Sequence, residues 1–344
     1  MKLLLLSTLI FGYTSTIDID CDKDYLYCIV KQLNIHQLQH LPERLLEKRT
    51  NLVVKQSFIH TLDVHTLHPN LYELSLVKCE IDKLILPQNC TLDHLIIEET
   101  IGSLQTFPNK QLSFLSVIKS PLSGLYPAIR HMTALVNIRL QEMHISTFNL
   151  DILHGKPKLF SVELNFNRIK ALHLSPNQTC CETLSELDLS CNRLTEIDLD
   201  LFNRMEALKK LRFESNRIAA LNGTLDLRNL IELDFSTNRL QTIDLCRWKI
   251  ESLRLLNVDN NRIRHLLNCI EKLKNLISFR IGNNFLHELD VAQFAMLSIT
   301  YFNFECNQIG VVHNQHMLPR NTCFVLHGNP VCNSTEYCNG LGSH

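Results

Sequence analysis

Carboxylate side chains recur through the middle of this 344-residue sequence, and their chemistry is the first question the sequence raises. Glu163 and Asp188 are two examples. Two carboxylates act together as acid and base only when an enclosed pocket raises the pKa of one of them. The sequence contains no Gly-rich phosphate loop, nucleophile elbow or His-Glu-x-x-His motif. It therefore predicts a protein that is not an enzyme and that needs no cofactor.

Sixteen histidines raise the question of a metal site. The densest groups are His60, His65 and His68 in the first half of the chain, and His313 and His316 near its end. Neither group has a further ligand at a spacing that zinc sites use. We interpret these histidines as surface residues, and the sequence predicts no metal site.

Charge and composition exclude several classes of protein. Lys and Arg number 34 and Asp and Glu number 35, and no run of basic residues stands out along the chain. Because nucleic acids are bound by basic surfaces, the sequence predicts no nucleic-acid partner. The chain has 62 Leu but only 10 Gly and 10 Pro, which excludes collagen-like and disordered proteins.

Apolar residues repeat with the pattern L-x-x-L-x-L-x-x-N/C-x-L, which is the leucine-rich repeat. Its clearest copies are LSELDLSCNRL from Leu184, LKKLRFESNRI from Leu208, LIELDFSTNRL from Leu230 and LRLLNVDNNRI from Leu253. We call the ninth residue of each copy the marker. The thirteen markers are Ser57, Cys79, Thr100, Ser120, Met143, Asn167, Asn192, Asn216, Asn238, Asn261, Asn284, Asn307 and Asn329.

The repeat determines the fold that we expect. Each copy supplies one short strand whose leucines become buried only when neighbouring copies stack on it. The sequence therefore predicts an α/β repeat protein, a horseshoe-shaped leucine-rich-repeat solenoid with a concave parallel sheet, about 13 repeats and disulfide-stapled caps. Since the first five markers are not Asn, we expect the side-chain ladder between turns to be missing there.

The two ends of the chain predict a secreted protein. Residues 1–16 read as a signal peptide, with Lys2 before a short apolar core and small polar residues after it. The alternative is a buried N-terminal strand. No apolar stretch reaches the length of about 20 residues that spans a membrane. We expect an N-terminal cap over 17–48, repeats over 49–331 and a short C-terminal cap over 332–344.

Side chains two, four and six places before each marker, and the one just before it, are expected on the concave face. In the early repeats they form an apolar patch, which is often a partner surface, beside Lys55, Lys78 and Glu98. The alternative is a slipped register that places these residues in the core. The patch consists of Val53, Val77, Ile96, Phe114 and Ile118.

In the central repeats the same offsets give a stripe in which acidic residues predominate. Such a stripe predicts a protein partner with a basic surface, because complementary charge favours specific encounter. The alternative is a solvated polar face. The stripe consists of Arg139, Glu163, Glu186, Asp188, Arg212, Glu214, Glu232, Asp234, Asp259 and Arg280.

Thirteen cysteines, all beyond the N-terminal segment, fit an oxidising secretory route. Cys246 and Cys269 each lie eight residues after their marker in adjacent repeats, which predicts a disulfide. Cys21 and Cys28 are expected to staple the N-terminal cap, and Cys332 belongs to the C-terminal cap. The sequence leaves open whether Cys79 forms a disulfide with Cys90. Because Cys180 and Cys181 are adjacent, at most one of them can easily form a disulfide with a given partner.

An odd number of cysteines leaves at least one thiol for another chain. Cys191 and Cys306 lie five repeats apart and cannot pair with each other. Together with Cys338 near the end of the chain, they are the candidates for a disulfide-linked dimer. Sequons at Asn89, Asn177, Asn222 and Asn333 predict glycosylation. Asn89 and Asn177 follow their markers by ten residues, which places them away from the concave strands.

The Asn-Pro-Val-Cys ending at Asn329 resembles the C-terminal caps of extracellular leucine-rich-repeat proteins. More narrowly, the start CDKDYLYC, the irregular early repeats and the late CNS resemble the short, coil-less mosquito leucine-rich-repeat immune proteins. That resemblance implies a haemolymph protein of innate immunity that could bind a complement-like thioester protein. The alternatives are a receptor-like or adhesion protein of development, and a protease inhibitor or decoy.

Overall fold

The structure is a computed structural model, and it describes residues 2–5, 17–21, 27–31, 50–67, 71–175, 180–317 and 322–333. The chain divides into two compact units. The first unit comprises Met1–Met143, Asn149–Glu163 and Ser175–Cys181. The second unit comprises His144–Phe148, Leu164–Leu174 and Glu182–His344.

Short strands make up most of the regular structure. The strands up to Gln141 are β1 (Lys2–Leu5), β2 (Ile17–Cys21), β3 (Tyr27–Lys31), β4 (Thr50–Lys55), β5 (Phe58–Asp63), β6 (Leu71–Val77), β7 (Glu80–Leu86), β8 (His94–Glu98), β9 (Ile101–Thr106), β10 (Phe114–Ile118), β11 (Leu122–Ser123) and β12 (Asn137–Gln141). The later strands are β13 (Thr147–Asn149), β14 (Ser161–Glu163), β15 (Ala171–His173), β16 (Glu186–Asp188), β17 (Glu196–Asp198), β18 (Lys210–Arg212), β19 (Ala220–Asn222), β20 (Glu232–Asp234), β21 (Leu255–Asn257), β22 (Ser278–Arg280), β23 (Glu288–Asp290), β24 (Tyr301–Asn303), β25 (Val311–His313) and β26 (Cys323–Val325).

Helices are few and short among the described residues. The α-helix is α1 (Leu125–His131). The 3₁₀ turns are Val64–Thr66, Leu150–Leu153, Leu199–Phe202, Ile270–Lys272, Val291–Phe294, Gln315–Met317 and Pro330–Asn333.

The main sheet is parallel from β3 onward within the first unit, in the order β1-β2-β3-β4-β6-β8-β10-β12-β14, with antiparallel pairing of β1 with β2 and of β2 with β3. In the second unit its order is β16-β18-β20-β21-β22-β24-β26, and all pairs are parallel. A main-sheet strand ends two to four residues before each of the thirteen markers. The chain is therefore a parallel β-solenoid, as predicted, with about twelve turns where about 13 repeats were expected.

Alternation along each strand places the leucines of the repeat in the core. Leu187 and Leu189 have 1% and 0% of their surface exposed, whereas Glu186 and Asp188 remain partly accessible on the other face of the sheet. Period-two alternation is what a strand with one buried face requires. The face opposite the core, formed by side chains two, four and six places before each marker, is called the open face below.

The marker asparagines join each turn to the turns beside it. Asn192 donates through Nδ2 to the carbonyl oxygens of Leu164 and Leu189, both at 3.0 Å. Its Oδ1 accepts from the backbone N–H of Ile169 at 2.9 Å. The side chain thereby satisfies buried backbone groups that no strand pairing reaches. The same pattern recurs at Asn216, Asn238, Asn261, Asn284, Asn307 and Asn329.

The prediction that this ladder is missing from the early repeats was wrong. The Thr100 hydroxyl donates to the carbonyl of Leu76 at 3.2 Å and accepts from the N–H of Cys79 at 3.2 Å. The Ser120 hydroxyl accepts from the N–H of Thr100 at 2.9 Å. A hydroxyl both donates and accepts, so it replaces part of what an Asn amide does at this position.

The residue just before the marker adopts a left-handed backbone in almost every repeat. Gln56, Ser215 and Cys306 have φ values of 49°, 57° and 51°. This conformation turns the chain away from the open face immediately after each strand. The side chains before and after this turn consequently point to different sides of the solenoid.

One strand per repeat was predicted, but many repeats carry a second strand. Those of the first four repeats form a parallel sheet in the order β11-β9-β7-β5, and later repeats add the parallel pairs β17-β19 and β23-β25. The run from Glu80 to Leu86 contains two isoleucines, which favour strands, and two leucines. Gly102 in β9 is required, since a Cβ there would lie 1.8 Å from the carbonyl oxygen of Ile81.

Three disulfides lie wholly within the described residues. Cys21 bonds Cys28 across β2 and β3, with Cα atoms 4.2 Å apart. Cys246 bonds Cys269, the pair that equal offsets predict, with Cα atoms 5.0 Å apart. Adjacent Cys180 and Cys181 bond each other, a pairing that sequence reasoning did not consider. Cys332 is also disulfide-bonded, and Cys338 lies outside the described residues.

We expect the double substitution Cys246→Ser with Cys269→Ser to lower the free energy of unfolding by about 3 kcal/mol. The bond closes a loop with a sequence separation of 23 residues, which restricts the unfolded chain. Urea unfolding of the variant and the wild type measures the difference. An unchanged midpoint would show that the bond does not form or does not stabilise the fold.

Candidate functional site: the open face

The open face of the first unit is less apolar than the sequence predicted. Val77, Ile96, Phe114 and Ile118 are half-buried on it, but Val53 is only 4% exposed. Along the row four places before the markers, small Ser75 and Ser116 alternate with the larger residues. Val53 therefore cannot offer the contact surface that we assigned to it.

An aromatic and charged cluster lies beside that patch. His94 packs 4.6 Å from the ring of Tyr72 and 5.2 Å from the ring of Phe114. Its Nδ1 lies 3.5 Å from a carboxylate oxygen of Glu73, and its Nε2 lies 3.3 Å from one of Asp93. The patch is thus edged by polar groups. Sequence reasoning missed His94 and Tyr72, although His94 stands six places before its marker, Thr100.

Arg139 and Glu163, two residues predicted for partner binding, bind each other. The Arg139 Nε and Nη2 donate to the two carboxylate oxygens of Glu163 at 2.8 and 3.2 Å. Gln141 donates to the same carboxylate at 3.1 Å. A two-point pair of this kind fixes the direction of both side chains. They stiffen this part of the open face and present little free charge.

Two further ion pairs compensate charge in the second unit. Lys210 lies 2.8 Å from Glu186, and Arg212 lies 2.7 Å from Glu232. The glutamate beside Arg212 is the leading cause that raises the pKa of its guanidinium. Lys210 was missed in the sequence, although it stands six places before its marker, the offset that identified Glu186.

Aspartates four places before the marker have a structural task as well as a charge. Oδ1 of Asp188 accepts from the N–H of Ser190 at 2.8 Å, and Oδ1 of Asp234 accepts from the N–H of Ser236 at 2.7 Å. Asn257 does the same for the N–H of Asp259 at 3.1 Å. These side chains cap the backbone where the short strand ends. Asn serves this task without a charge.

The acidic groups that lack an ion-pair partner among the described residues lie close enough to affect one another. Burial raises the pKa of Glu214, and the carboxylates of Asp234 and Asp188 raise it further. Arg280, the remaining predicted cation, lies with its guanidinium 5.3 Å from the ring centre of Tyr301. Negative charge therefore remains in excess on this part of the open face.

Asp259 is the acidic residue most perturbed by its surroundings. Its Oδ1 accepts from the N–H of Gly282 at 2.5 Å, and its Oδ2 lies 3.5 Å from Nδ2 of Asn303. Burial raises its pKa from 3.8 to about 6, and the carboxylate of Glu305 adds to the increase. Asp259 consequently changes charge within the mildly acidic range.

We expect Asp259→Asn to abolish one pH-dependent part of stability. Because the folded-state pKa is raised, the folded protein keeps this proton between about pH 4 and 6 while the unfolded chain loses it. Wild-type stability relative to the variant should therefore fall by about 2 kcal/mol as the pH rises through that window. Urea unfolding of both proteins near pH 4.5 and 7.5 measures this, and an equal difference at both pH values contradicts it.

The thiols proposed for an interchain bond have different environments. Cys306 is exposed, Cys191 is half-buried, and burial is the leading cause that raises the pKa of the Cys191 thiol. Cys323 is an exposed free thiol that sequence reasoning did not consider. Cys79 and Cys90 stay unbonded and buried. A disulfide-linked dimer, including one through Cys338, stays a prediction.

The histidine groups do not gather into one site within the described residues. His60 Nδ1 lies 2.5 Å from Oδ2 of Asp82, and His313 Nε2 lies 3.6 Å from a carboxylate oxygen of Glu288. His68 lies outside the described residues. In the part of the chain that the structure describes, one trio of metal-ligand types, Asp244 with Cys246 and Cys269, lies within 4.8 Å, but both its sulfurs are in the disulfide.

Two of the four sequons have described side chains. Asn89 is exposed in a turn after β7, and Asn222 is exposed at the end of β19. Asn177 lies outside the described residues, and Asn333 ends a 3₁₀ turn. Glycosylation of these residues stays a prediction. Among the described residues no helix is long and apolar enough to cross a membrane.

Comparison with known proteins bears on the repeat. The family model described as leucine rich repeat matches residues 182–226. The adenylate cyclase of Mycosarcoma maydis is 33% identical over 97 residues, which make up 28% of this chain and only 4% of that protein. The chain therefore corresponds to a small fraction of that relative's length, and its activity is not carried over.

Two solved structures share the fold. A chain of the octameric complex of Latrophilin 3, Unc5D and FLRT2 (LRR) has a TM-score of 0.55 and 19% identity, over 78% of this chain and 84% of that one. An LRR protein of Leptospira interrogans has a TM-score of 0.50 and 20% identity, over 87% and 90% of the two chains. Together with the family model matched over 182–226 and the marker ladder, these structures show that the chain carries leucine-rich repeats and has the fold of a leucine-rich-repeat solenoid.

Proposed function

We propose that this chain is a secreted recognition protein of insect humoral immunity, and that the open face of its second unit binds a protein with a basic surface. Leucine-rich-repeat proteins generally bind other macromolecules and typically are not enzymes. The single observation that carries the proposal is the excess of acidic groups on this part of the open face. Complementary charge raises both the rate and the specificity of such an encounter.

The arrangement of that charge supports a partner with several basic groups. Asp188, Glu214 and Asp234 belong to three consecutive turns, whose strands are hydrogen-bonded neighbours about 4.8 Å apart. None of the three forms an ion pair among the described residues. Burial is the main cause that raises the pKa of Glu214, and a partner that offers Lys or Arg at this spacing would relieve the repulsion from Asp234 and Asp188 that adds to it.

Other features support secretion and the immune role. The disulfides of both units fit a compartment outside the cytosol. The immune role itself rests on the resemblance of the cap-like CDKDYLYC and CNS segments to mosquito leucine-rich-repeat immune proteins.

Capture from mosquito haemolymph, with the bound protein identified by mass spectrometry, tests the proposal. The test variant is Asp188→Asn, Glu214→Gln and Asp234→Asn together, because Asn257 shows that Asn keeps the backbone cap. The matched control is Asp198→Asn, Glu196→Gln and Asp244→Asn. These three exposed residues belong to the same unit, and two of them also cap backbone N–H groups.

We expect the test variant to recover the partner at least about tenfold less well than the wild type, while the control is unaffected. Equal recovery of the partner by both variants would exclude the open face of the second unit as the binding surface. Capture of a membrane-anchored developmental protein, or of a protease, would instead support an adhesion protein or a protease decoy.

A further inference from the structure

A row of arginines runs along the second unit at the position one place after the marker. The residues on both sides of each arginine face the core: Asn216 and Ile218, for example, are 8% and 0% exposed. The arginine between them must therefore project outward. The row consists of Arg168, Arg193, Arg217, Arg239 and Arg262, and all five are exposed. We call it the arginine row.

Backbone hydrogen bonds hold the arginine row in register. The N–H of Arg193 donates to the carbonyl of Ile169, and the N–H of Arg217 to that of Leu194, both at 2.9 Å. The N–H groups of Arg239 and Arg262 make the equivalent bonds. Turns joined in this way lie about 4.8 Å apart, so the five arginines extend over about 19 Å.

The positive charge of the arginine row is not compensated by the residues around it. Within the residues that the structure describes, none of the five arginines forms an ion pair. On one side, just before the markers, stand the uncharged Phe166, Cys191, Ser215, Thr237 and Asn260. On the other side, three places after the markers, stand Lys170, Thr195, Ala219, Gln241 and Arg264. The residues on both sides of the row are thus neutral or basic.

We propose that the arginine row binds a linear sulfated polysaccharide. Guanidinium groups bind the oxygens of such anions through two parallel hydrogen bonds. A straight row of five cations matches a ligand whose anionic groups follow one another along an extended polymer. The disulfide-bonded cysteines fit the compartment in which such polymers occur.

The surroundings of the arginine row favour this ligand over a single-stranded nucleic acid. Proteins that bind single strands place aromatic side chains among the cations so that bases stack on them. No aromatic residue stands between the arginines of the row. The exposed Phe166 stands beside the first member of the row, and the exposed Phe285 occupies the next row position after Arg262.

This site goes beyond the recognition function proposed for the open face. The left-handed turn at residues such as Ser215 lies between Glu214 on the open face and Arg217 in the row. The acidic stripe and the arginine row are therefore separate surfaces of opposite charge. One molecule could hold a polysaccharide with the row while the open face stays available.

Heparin is the probe for this site. We compare the wild type with the variant Arg193→Gln, Arg217→Gln and Arg239→Gln. The matched control is Arg228→Gln, Arg247→Gln and Arg254→Gln, three exposed arginines of the same unit that carry the same total charge change. Titration calorimetry at several salt concentrations gives the affinity, and thermal unfolding verifies that each variant is folded.

We expect the row variant to lose at least about tenfold in heparin affinity, with a dependence of log K on log salt that is shallower by about 2 to 3. The control should keep the affinity and slope of the wild type. Desulfated heparin should not bind. No heparin binding by the wild type near 0.15 M salt, an equal loss in both variants, or tighter binding of oligo(dT) or poly(glutamate) than of heparin would overturn the proposal.

Discussion

Replacement of Asn216 by Ala is expected to lower the free energy of unfolding by about 4 kcal/mol. The Asn216 amide donates to the carbonyl oxygens of Leu189 and Phe213, both at 3.0 Å, and accepts from the N–H of Leu194 at 3.1 Å. Ala would leave these buried backbone groups without partners, at about 1 to 3 kcal/mol for each unsatisfied group. Urea unfolding measures the change.

The matched control is Asn229→Ala. Asn229 is exposed and makes one hydrogen bond, to the carbonyl of Glu206 at 2.9 Å. A surface change of this kind should stay within about 0.5 kcal/mol of the wild type. If both variants lose the same stability, the marker ladder does not hold neighbouring turns together.

Phe302→Ala is expected to cost about 4 kcal/mol, since removing a buried ring leaves a cavity that the core fills only in part. Phe302 is fully buried, and its ring centre lies 4.8 Å from that of Phe294 and 5.4 Å from that of Phe324. Phe285→Ala is the control because that ring is 42% exposed. Denaturant unfolding measures the loss of stability in each variant. Equal losses would contradict a packed core around Phe302.

The marker spacing predicted the solenoid because the positions of the leucines within each repeat predict which side chains are buried. Leu187, Leu189 and Asn192 need no information from distant residues: their offsets within the repeat determine their places. The Cys246–Cys269 bond follows from the same rule, since equal offsets in adjacent repeats place two side chains side by side.

Elements that depend on more than one repeat were harder to predict. The hydroxyl ladder through Thr100 and Ser120 was missed because those residues are poor matches to the Asn of the pattern, although they also donate and accept hydrogen bonds. The second sheet was missed because the repeat pattern assigns one strand to each copy, whereas β5, β7 and β9 follow the markers. The apolar runs that form these strands are visible in the sequence.

Charge was the least predictable property of the candidate sites. The acidic stripe could be identified by offset, but its pairing could not: Glu186 and Glu232 are neutralised by cations of the neighbouring turn. The arginine row went unnoticed because its members are more than 20 residues apart in sequence. A net charge of −1 conceals two surfaces of opposite sign.

Carboxylate labelling of the protein with and without its captured partner tests most directly whether the open face of the second unit is the binding surface. Carbodiimide coupling followed by mass spectrometry measures the reactivity of Glu214 and Asp188 on that face and of Glu196 and Asp198 away from it. We predict that the partner protects Glu214 and Asp188 and leaves Glu196 and Asp198 reactive. Protection of Glu196 and Asp198, with Glu214 still reactive, would contradict the account.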